Sequence, residues 1–118
     1  MENPVKEFNA NLMRKMVEQQ DSEKCAGLMD KMAKSNSWWV PTLSTLRSAA
    51  HANSIEAQND VIFDNIPSLM KTLFWQPDLD KAKKQGYDSQ GKFVHGDFFT
   101  KAQQQLKQAS DRGVKILA

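Results

Sequence analysis

The sequence predicts a mainly α-helical single domain, residues 1–118, that carries one short pair of parallel β-strands. Apolar residues recur at three- and four-residue steps along most of the chain, which is typical of amphipathic helices. Two runs, Trp38 to Val40 and Val114 to Ala118, are instead rich in the aromatic and β-branched residues that favour strands. Because helices separate these runs, we expect the strands to be parallel neighbours joined by a right-handed crossover.

Composition excludes several classes of protein. The chain has 118 residues, of which 40% are hydrophobic and 25% charged, as expected for one ordinary globular domain. The net charge is +2 and the basic residues are scattered among acidic ones, so we expect no nucleic-acid partner. No apolar run is long enough to span a membrane, and the N-terminus does not resemble a signal peptide. A single cysteine, Cys25, excludes an intrachain disulfide, and the cellular compartment stays open.

Caps and prolines divide the helical part of the sequence into six predicted helices. Asn36 and Gly113 stand just past two of them, where a left-handed backbone is common. Gln76 precedes Pro77, and because the residue before a proline disfavours the helical conformation, we expect an interruption there. The expected caps are Asn3, Asp21 or Ser22, Ser44 and Asp97. The predicted helices run over residues 4–20, 22–35, 44–51, 67–75, 77–85 and 98–112.

Several passages, taken in order, resemble one region of a known enzyme family. They are Trp38 to Leu43 with the helix before it, Asp64 to Pro67, Leu73 to Trp75, and Phe98 to Ala118. These passages are similar to a late barrel strand, a helical excursion and the last barrel strand of the metal-dependent amidohydrolases, the imidazolonepropionase- and prolidase-like enzymes. The resemblance implies an α/β fragment with the last two strands of a (β/α)8 barrel plus a helical cap.

The same resemblance implies that the chemistry of the family lies outside this chain. In the family the last strand continues into Gly-Thr-Asp, whose aspartate serves the metal, whereas this sequence ends at Ala118. The family's His-x-His pair and bridging lysine strand are also absent. We therefore expect no catalytic residue, no metal ligand and no cofactor here, with zinc or a similar metal only in a complete parent enzyme. That parent would hydrolyse an amide or peptide bond.

Two functions from different classes follow from these observations. In the first, the chain is a non-catalytic, helix-rich segment that builds part of an amidohydrolase substrate pocket. The resemblance then places Thr42 and Ser44 at the mouth of the pocket, because the loops that follow barrel strands line it. The simpler interpretation of Ser44, as a helix cap, is favoured. In the alternative, the chain is an independent small helical module for protein–protein interaction.

Other chemistry-bearing residues have simpler structural interpretations. His51, His95 and Cys25 lack any known metal-ligand spacing. We expect His51 near a helix C-terminus, His95 in a loop, and Cys25 as an inert thiol on an apolar helix face. Asp60 and Asp64 are spaced like paired acid–base carboxylates, but the simpler interpretation is a solvated face, because nothing nearby would give the two carboxylates different acid–base roles.

The two predicted strands also suggest self-association. A strand pair isolated from the rest of a barrel keeps an open edge on each side, and open edges invite pairing with another chain. The apolar residues on these edges would bury on the order of several hundred Å2 together. We therefore expect a symmetric or strand-exchanged homodimer. Its expected interface residues are Trp38, Trp39, Ile116 and Leu117.

Overall fold

The computed structural model describes residues 9–54 and 61–117 of the chain. The predicted helix start at Asn3 and the carboxylate of Asp60 lie outside these ranges. Within them the fold is mainly helical with one two-stranded parallel sheet, as the sequence predicted. The elements are α1 (Ala10–Glu18), α2 (Ser22–Lys34), β1 (Trp38–Trp39), α3 (Leu43–Ala50), a 3-10 helix (Val61–Asn65), α4 (Ser68–Met70), a π-helix (Lys71–Trp75), α5 (Gln76–Gln85), α6 (Val94–Asp111) and β2 (Lys115–Ile116).

The first two helices begin at side-chain caps. The Asp21 carboxylate accepts hydrogen bonds from the backbone N–H groups of Glu23 and Lys24, which confirms Asp21, and not Ser22, as the cap of α2. The side chain of Asn9 caps α1 in the same way, and the Asn9 backbone is extended, with φ −134°. The predicted uninterrupted helix over residues 4–20 is therefore wrong, because an extended residue cannot lie inside a helix.

The strand pair has the predicted direction but is shorter than expected. Trp38 pairs with Lys115 and Trp39 pairs with Ile116 in parallel register. The backbone N–H of Leu117 extends the ladder by donating to the Trp39 carbonyl at 3.0 Å. Each strand spans two residues, where the sequence predicted three and five.

Both strands emerge from the same kind of helix end. Asn36 follows α2 with φ 58° and Gly113 follows α6 with φ 87°, so both predicted left-handed residues are confirmed. In each case the next backbone N–H bonds back to the third-last helical carbonyl, in the pattern of a Schellman motif. Each strand then begins two residues after the left-handed residue. The two parallel strands are thus each preceded by the same type of helix end.

The long helix α6 is the central element of the packing. Its first half contacts α1 through Val94, which packs with Ala10 and Met13. Its second half contacts α2 and the sheet through Ala109, in a cluster of the buried residues Met29, Ala109 and Val114 with half-buried neighbours that include Trp39. Helix α3 packs along α6 as well. These contacts hold α3 and the start of α6 in place beside α5.

The helical excursion runs through the predicted interruption. From Ser68 to Gln85 the chain is helical without a break, and Gln76 lies within the helix despite the proline after it. Lys71 to Trp75 form a π-helix, in which the Gln76 N–H donates to the Lys71 carbonyl five residues back. This wider turn lies directly before Pro77, the residue that lacks an N–H, and lets the chain pass it without ending the helix.

The last helix begins earlier than the sequence predicted, so the proposed Asp97 cap is wrong. Val94 is its first residue, and the Val94 N–H donates to the Gly86 carbonyl at 2.7 Å. Asp88 organises the preceding loop instead, because its Oδ1 accepts from the backbone N–H groups of Gln90 and Lys92, each at 2.9 Å. Between α5 and α6 the chain therefore forms a compact turn over residues 86–93, which is shorter than the segment between the predicted helices 77–85 and 98–112.

Candidate functional site

A cavity of about 500 Å3 lies where α3, α5 and the start of α6 face one another. Helices α3 and α5 supply most of its lining residues, and α6 supplies His95. The α5 side carries residues at three- and four-residue steps, Asp78, Ala82 and Gln85, so a single face of that helix borders the space. A volume of this size is within the range of small-molecule binding sites in proteins.

The cavity has an apolar floor and a polar rim. The floor includes buried Leu79 with half-buried Trp75, Ala49 and Ala82. The rim is formed by exposed polar side chains from two facing helices. They are Ser44, Thr45 and Ser48 on α3, and Asp78, Lys81 and Gln85 on α5. Apolar walls with a few convergent polar groups are the usual composition of a ligand pocket.

His95 lies at the inner side of the cavity. The sequence placed it in a loop, which is wrong, because it lies in the first turn of α6 and is half-buried. Burial lowers the pKa of His95 from its ordinary value of 6.5, although a hydrogen bond to the backbone of Ala82 acts in the opposite direction. The ring therefore stays uncharged at neutral pH, with one nitrogen engaged by that bond.

The neighbours of His95 fix its orientation. The ring of Phe93 meets the imidazole edge to face, with ring centres 5.4 Å apart and an angle of 89° between the planes. Gly86 approaches both rings so closely that a Cβ there would lie 2.7 Å from His95 Cδ2. Glycine at position 86 thus leaves the space that these two rings occupy.

The two residues that the resemblance placed at a pocket mouth lie three and five residues after the end of β1. Thr42 has a left-handed backbone, with φ 48°, and precedes the first residue of α3 without forming a side-chain cap. Ser44 lies inside the first turn of α3 and lines the cavity. The favoured interpretation of Ser44 as the helix cap is therefore wrong, because the helix begins one residue before it.

The remaining candidate residues do not converge on a site. His51 is the C-terminal cap residue of α3, as predicted, and its Nδ1 lies 2.9 Å from the Arg47 carbonyl oxygen. Cys25 is half-buried and packs against the cluster around Met29. Asp64 is exposed in the 3-10 helix. Within residues 9–54 and 61–117, no three His, Cys, Asp or Glu side chains are placed to hold a metal ion.

The surface around the short sheet is partly apolar. Trp38 is 60% exposed, Val40 58% and Leu117 55%, whereas Trp39 and Ile116 are half-buried. The ammonium of Lys115 lies 5.4 Å from the centre of the Trp38 ring, within the range of a cation–π contact. Two of the four residues predicted to mediate self-association are thus more than half exposed, and two pack partly into the domain.

Sequence reasoning missed the cavity residues Trp75, Lys81 and Gln85. The spacing of 75, 78, 82 and 85 was available in the sequence, but the expected interruption at Gln76 concealed it. Continuity of the helix through Pro77 is what places these positions on one face.

Comparisons of the chain with models of protein families, with curated proteins and with solved structures found no match. Among the residues that the structure describes, no helix has both the length and the apolar character needed to cross a membrane.

Proposed function

We propose that the chain is a non-catalytic part of a metal-dependent hydrolase of amide or peptide bonds, in which it forms one wall of the substrate pocket. The observation that carries the proposal is the parallel pairing of Trp38–Trp39 with Lys115–Ile116. Parallel strands ordinarily lie inside larger sheets that are covered on both faces. A two-residue pair with partly exposed side chains is what one section of such a sheet would contain.

The position of the loop after β1 agrees with this role. In a barrel of parallel strands, the segments that follow the carboxyl ends of the strands carry the substrate contacts. Thr42 lies in the short connection between β1 and α3, and Ser44 lies in the first turn of α3 and borders the cavity. The strained left-handed backbone of Thr42 is of the kind that functional sites retain. In this proposal the two hydroxyl groups hydrogen-bond to substrate, while the metal and its ligands belong to other parts of the complete enzyme.

Hydrolysis assays test this division of roles. The purified chain supplied with zinc is expected to leave dipeptides and cyclic amides intact. The product of the complete reading frame is expected to hydrolyse one of these classes and to lose activity with a chelator. In that product Ser44→Ala should raise KM more than it lowers kcat, whereas Ser110→Ala, an exposed serine near the end of α6, should change neither. Chelator-sensitive turnover by the purified chain would overturn the proposal.

A second candidate function is protein–protein interaction through a homodimer. It is favoured by the exposed apolar residues that flank the sheet, because contiguous patches of this kind mark interaction surfaces. In this proposal Trp38 and Leu117 form the centre of the interface, and Trp39 and Ile116 contribute their accessible edges. Neither nucleic acid nor a membrane is part of either proposal.

Sedimentation at micromolar concentration tests the second candidate. A dimer that Leu117→Ser dissociates would support it. The matched control is Leu28→Ser, because Leu28 has a similar exposure, 60% against 55% for Leu117, but lies on α2. A monomer at all concentrations, or equal effects of the two substitutions, would contradict it.

A further inference from the structure

We propose that the cavity between α3, α5 and α6 binds a free α-amino acid with an aromatic side chain, held as its zwitterion. This inference concerns the isolated chain and does not depend on the proposed hydrolase role. It combines the apolar floor, the two opposite charges on the rim, and the shape of the α5 segment that carries them.

The floor provides the site for an aromatic ring. Trp75 borders the cavity, and Leu79 and Ala82 continue this apolar lining along α5. An aromatic ring packed against an indole gains contact energy beyond the burial of its area. The π-helix from Lys71 to Trp75 leads directly into this wall, and π-helical turns occur frequently at functional sites.

The rim provides one charge of each sign. Asp78 and Lys81 are one helical turn apart and both border the cavity, so their net charge cancels. Neither side chain forms an ion pair or hydrogen bond with any residue in the described part of the chain. The ammonium and carboxylate of an α-amino acid are attached to one carbon, and their close spacing matches side chains that are neighbours on a helix. A ligand with a single charge would engage only one of the two.

The facing helix supplies neutral polar groups. The hydroxyl groups of Ser44 and Thr45 border the cavity opposite Asp78 and Lys81, and they can accept from an ammonium or donate to a carboxylate. Ser48 already donates its hydroxyl proton to the Ser44 carbonyl at 3.1 Å, so towards a ligand it acts as an acceptor. The uncharged His95 ring adds no net charge to this arrangement.

The test uses three ligands that share a phenyl ring and differ in charge: L-phenylalanine, phenethylamine and 3-phenylpropionate. The imidazole proton resonances of His95, which lines the cavity, report on binding in an NMR titration. We expect saturable shifts at His95. Phenylalanine should bind more tightly than either singly charged ligand, by about two- to fivefold for each exposed charge contact.

Substitutions that remove one charge at a time test the contacts to the ammonium and to the carboxylate of the ligand independently. Asp78→Asn should weaken phenylalanine and phenethylamine and leave 3-phenylpropionate unchanged. Lys81→Gln should weaken phenylalanine and 3-phenylpropionate and leave phenethylamine unchanged. The matched controls are Asp80→Asn and Lys84→Gln, exposed positions of the same helix that do not border the cavity.

The controls should leave all three affinities unchanged. Equal affinity for the three ligands, or equal effects of the cavity and control substitutions, would overturn the proposal. Absence of any shift at His95 up to tens of millimolar ligand, well above the affinity ordinary for molecules of this size, would overturn it as well.

Discussion

Replacing Met29 by alanine tests the cluster that joins α2, α6 and the sheet. Met29 is 6% exposed and packs with Ala109, at 0%, and Val114, at 5%. The substitution removes the three side-chain atoms beyond Cβ and leaves a cavity, and Met→Ala changes in protein cores cost about 2–5 kcal/mol. Because half-buried neighbours of this cluster can partly close over the space, we expect the lower part of that range, about 2–3 kcal/mol.

The magnitude converts into a measurable shift in melting temperature. Unfolding entropies of about 2.1 cal/mol/K per residue make 1 kcal/mol equivalent to about 4 °C for a chain of this length. Met29→Ala should therefore lower Tm by about 8–12 °C. In urea, the midpoint should fall while the dependence of the unfolding free energy on denaturant stays the same.

The neighbouring residue on α2 provides the control. Leu28 is 60% exposed, so Leu28→Ala should change the free energy of unfolding by no more than about 0.5 kcal/mol. Circular dichroism of both variants during urea and thermal unfolding makes the comparison. Equal losses in the two variants would refute the packing of α2 described above, because the helix would then present a different face to α6.

Four further outcomes follow from the contacts around the compact turn and from an exposed glycine. Gly86→Ala should destabilise by about 1–3 kcal/mol, since the new methyl group would lie 2.7 Å from the His95 ring. Gly27→Ala, with nothing within 4 Å of the new Cβ, should stabilise by about 0.5–1 kcal/mol in the same melting assay. Because burial lowers the pKa of His95, this histidine binds protons more readily in the unfolded chain than in the folded one. The free energy of unfolding, measured by urea denaturation at several pH values, should therefore fall as pH drops below 6.5. A free energy of unfolding that stays constant from pH 7 to pH 5 would contradict this. The hydrogen bond from the Lys92 N–H is the main cause that holds the pKa of Asp88 below 3.8. The ionised Asp88 side chain should therefore contribute fully to the free energy of unfolding above that pH, and this contribution should be lost at more acid pH. Asp88→Asn should remove this component of the acid-induced loss of stability.

Local sequence signals predicted the structure correctly where the conformation depends on a few neighbouring residues. Asp21 offers an oxygen to the first N–H groups of α2, and Asn36 and Gly113 tolerate the left-handed conformation that ends α2 and α6. The direction of the strand pair follows from the helices between the strands. These features depend on a few neighbouring residues, and the structure confirms them.

Prediction from the sequence failed where contacts between distant residues outweigh local conformational preference. Ser44 and Asp97 have good capping chemistry, yet α3 and α6 begin before them. For α6 the reason is the turn held by Asp88, which places Val94 against Gly86 before Asp97 is reached. At Gln76 the local preference of a residue before proline yields to a π-helical turn. The cavity could not be predicted, because it depends on how the faces of α3 and α5 meet across the chain segment between them.

The resemblance to metal-dependent amidohydrolases is tested most directly by the coding sequence on the 3′ side of the codon for Ala118. The proposed role as one wall of a hydrolase pocket predicts an open reading frame that continues from Lys115-Ile116-Leu117-Ala118 into Gly-Thr-Asp. It also predicts a His-x-His pair encoded upstream of Met1. A stop codon directly after Ala118 would contradict the proposal and leave the interaction module as the remaining account of the fold.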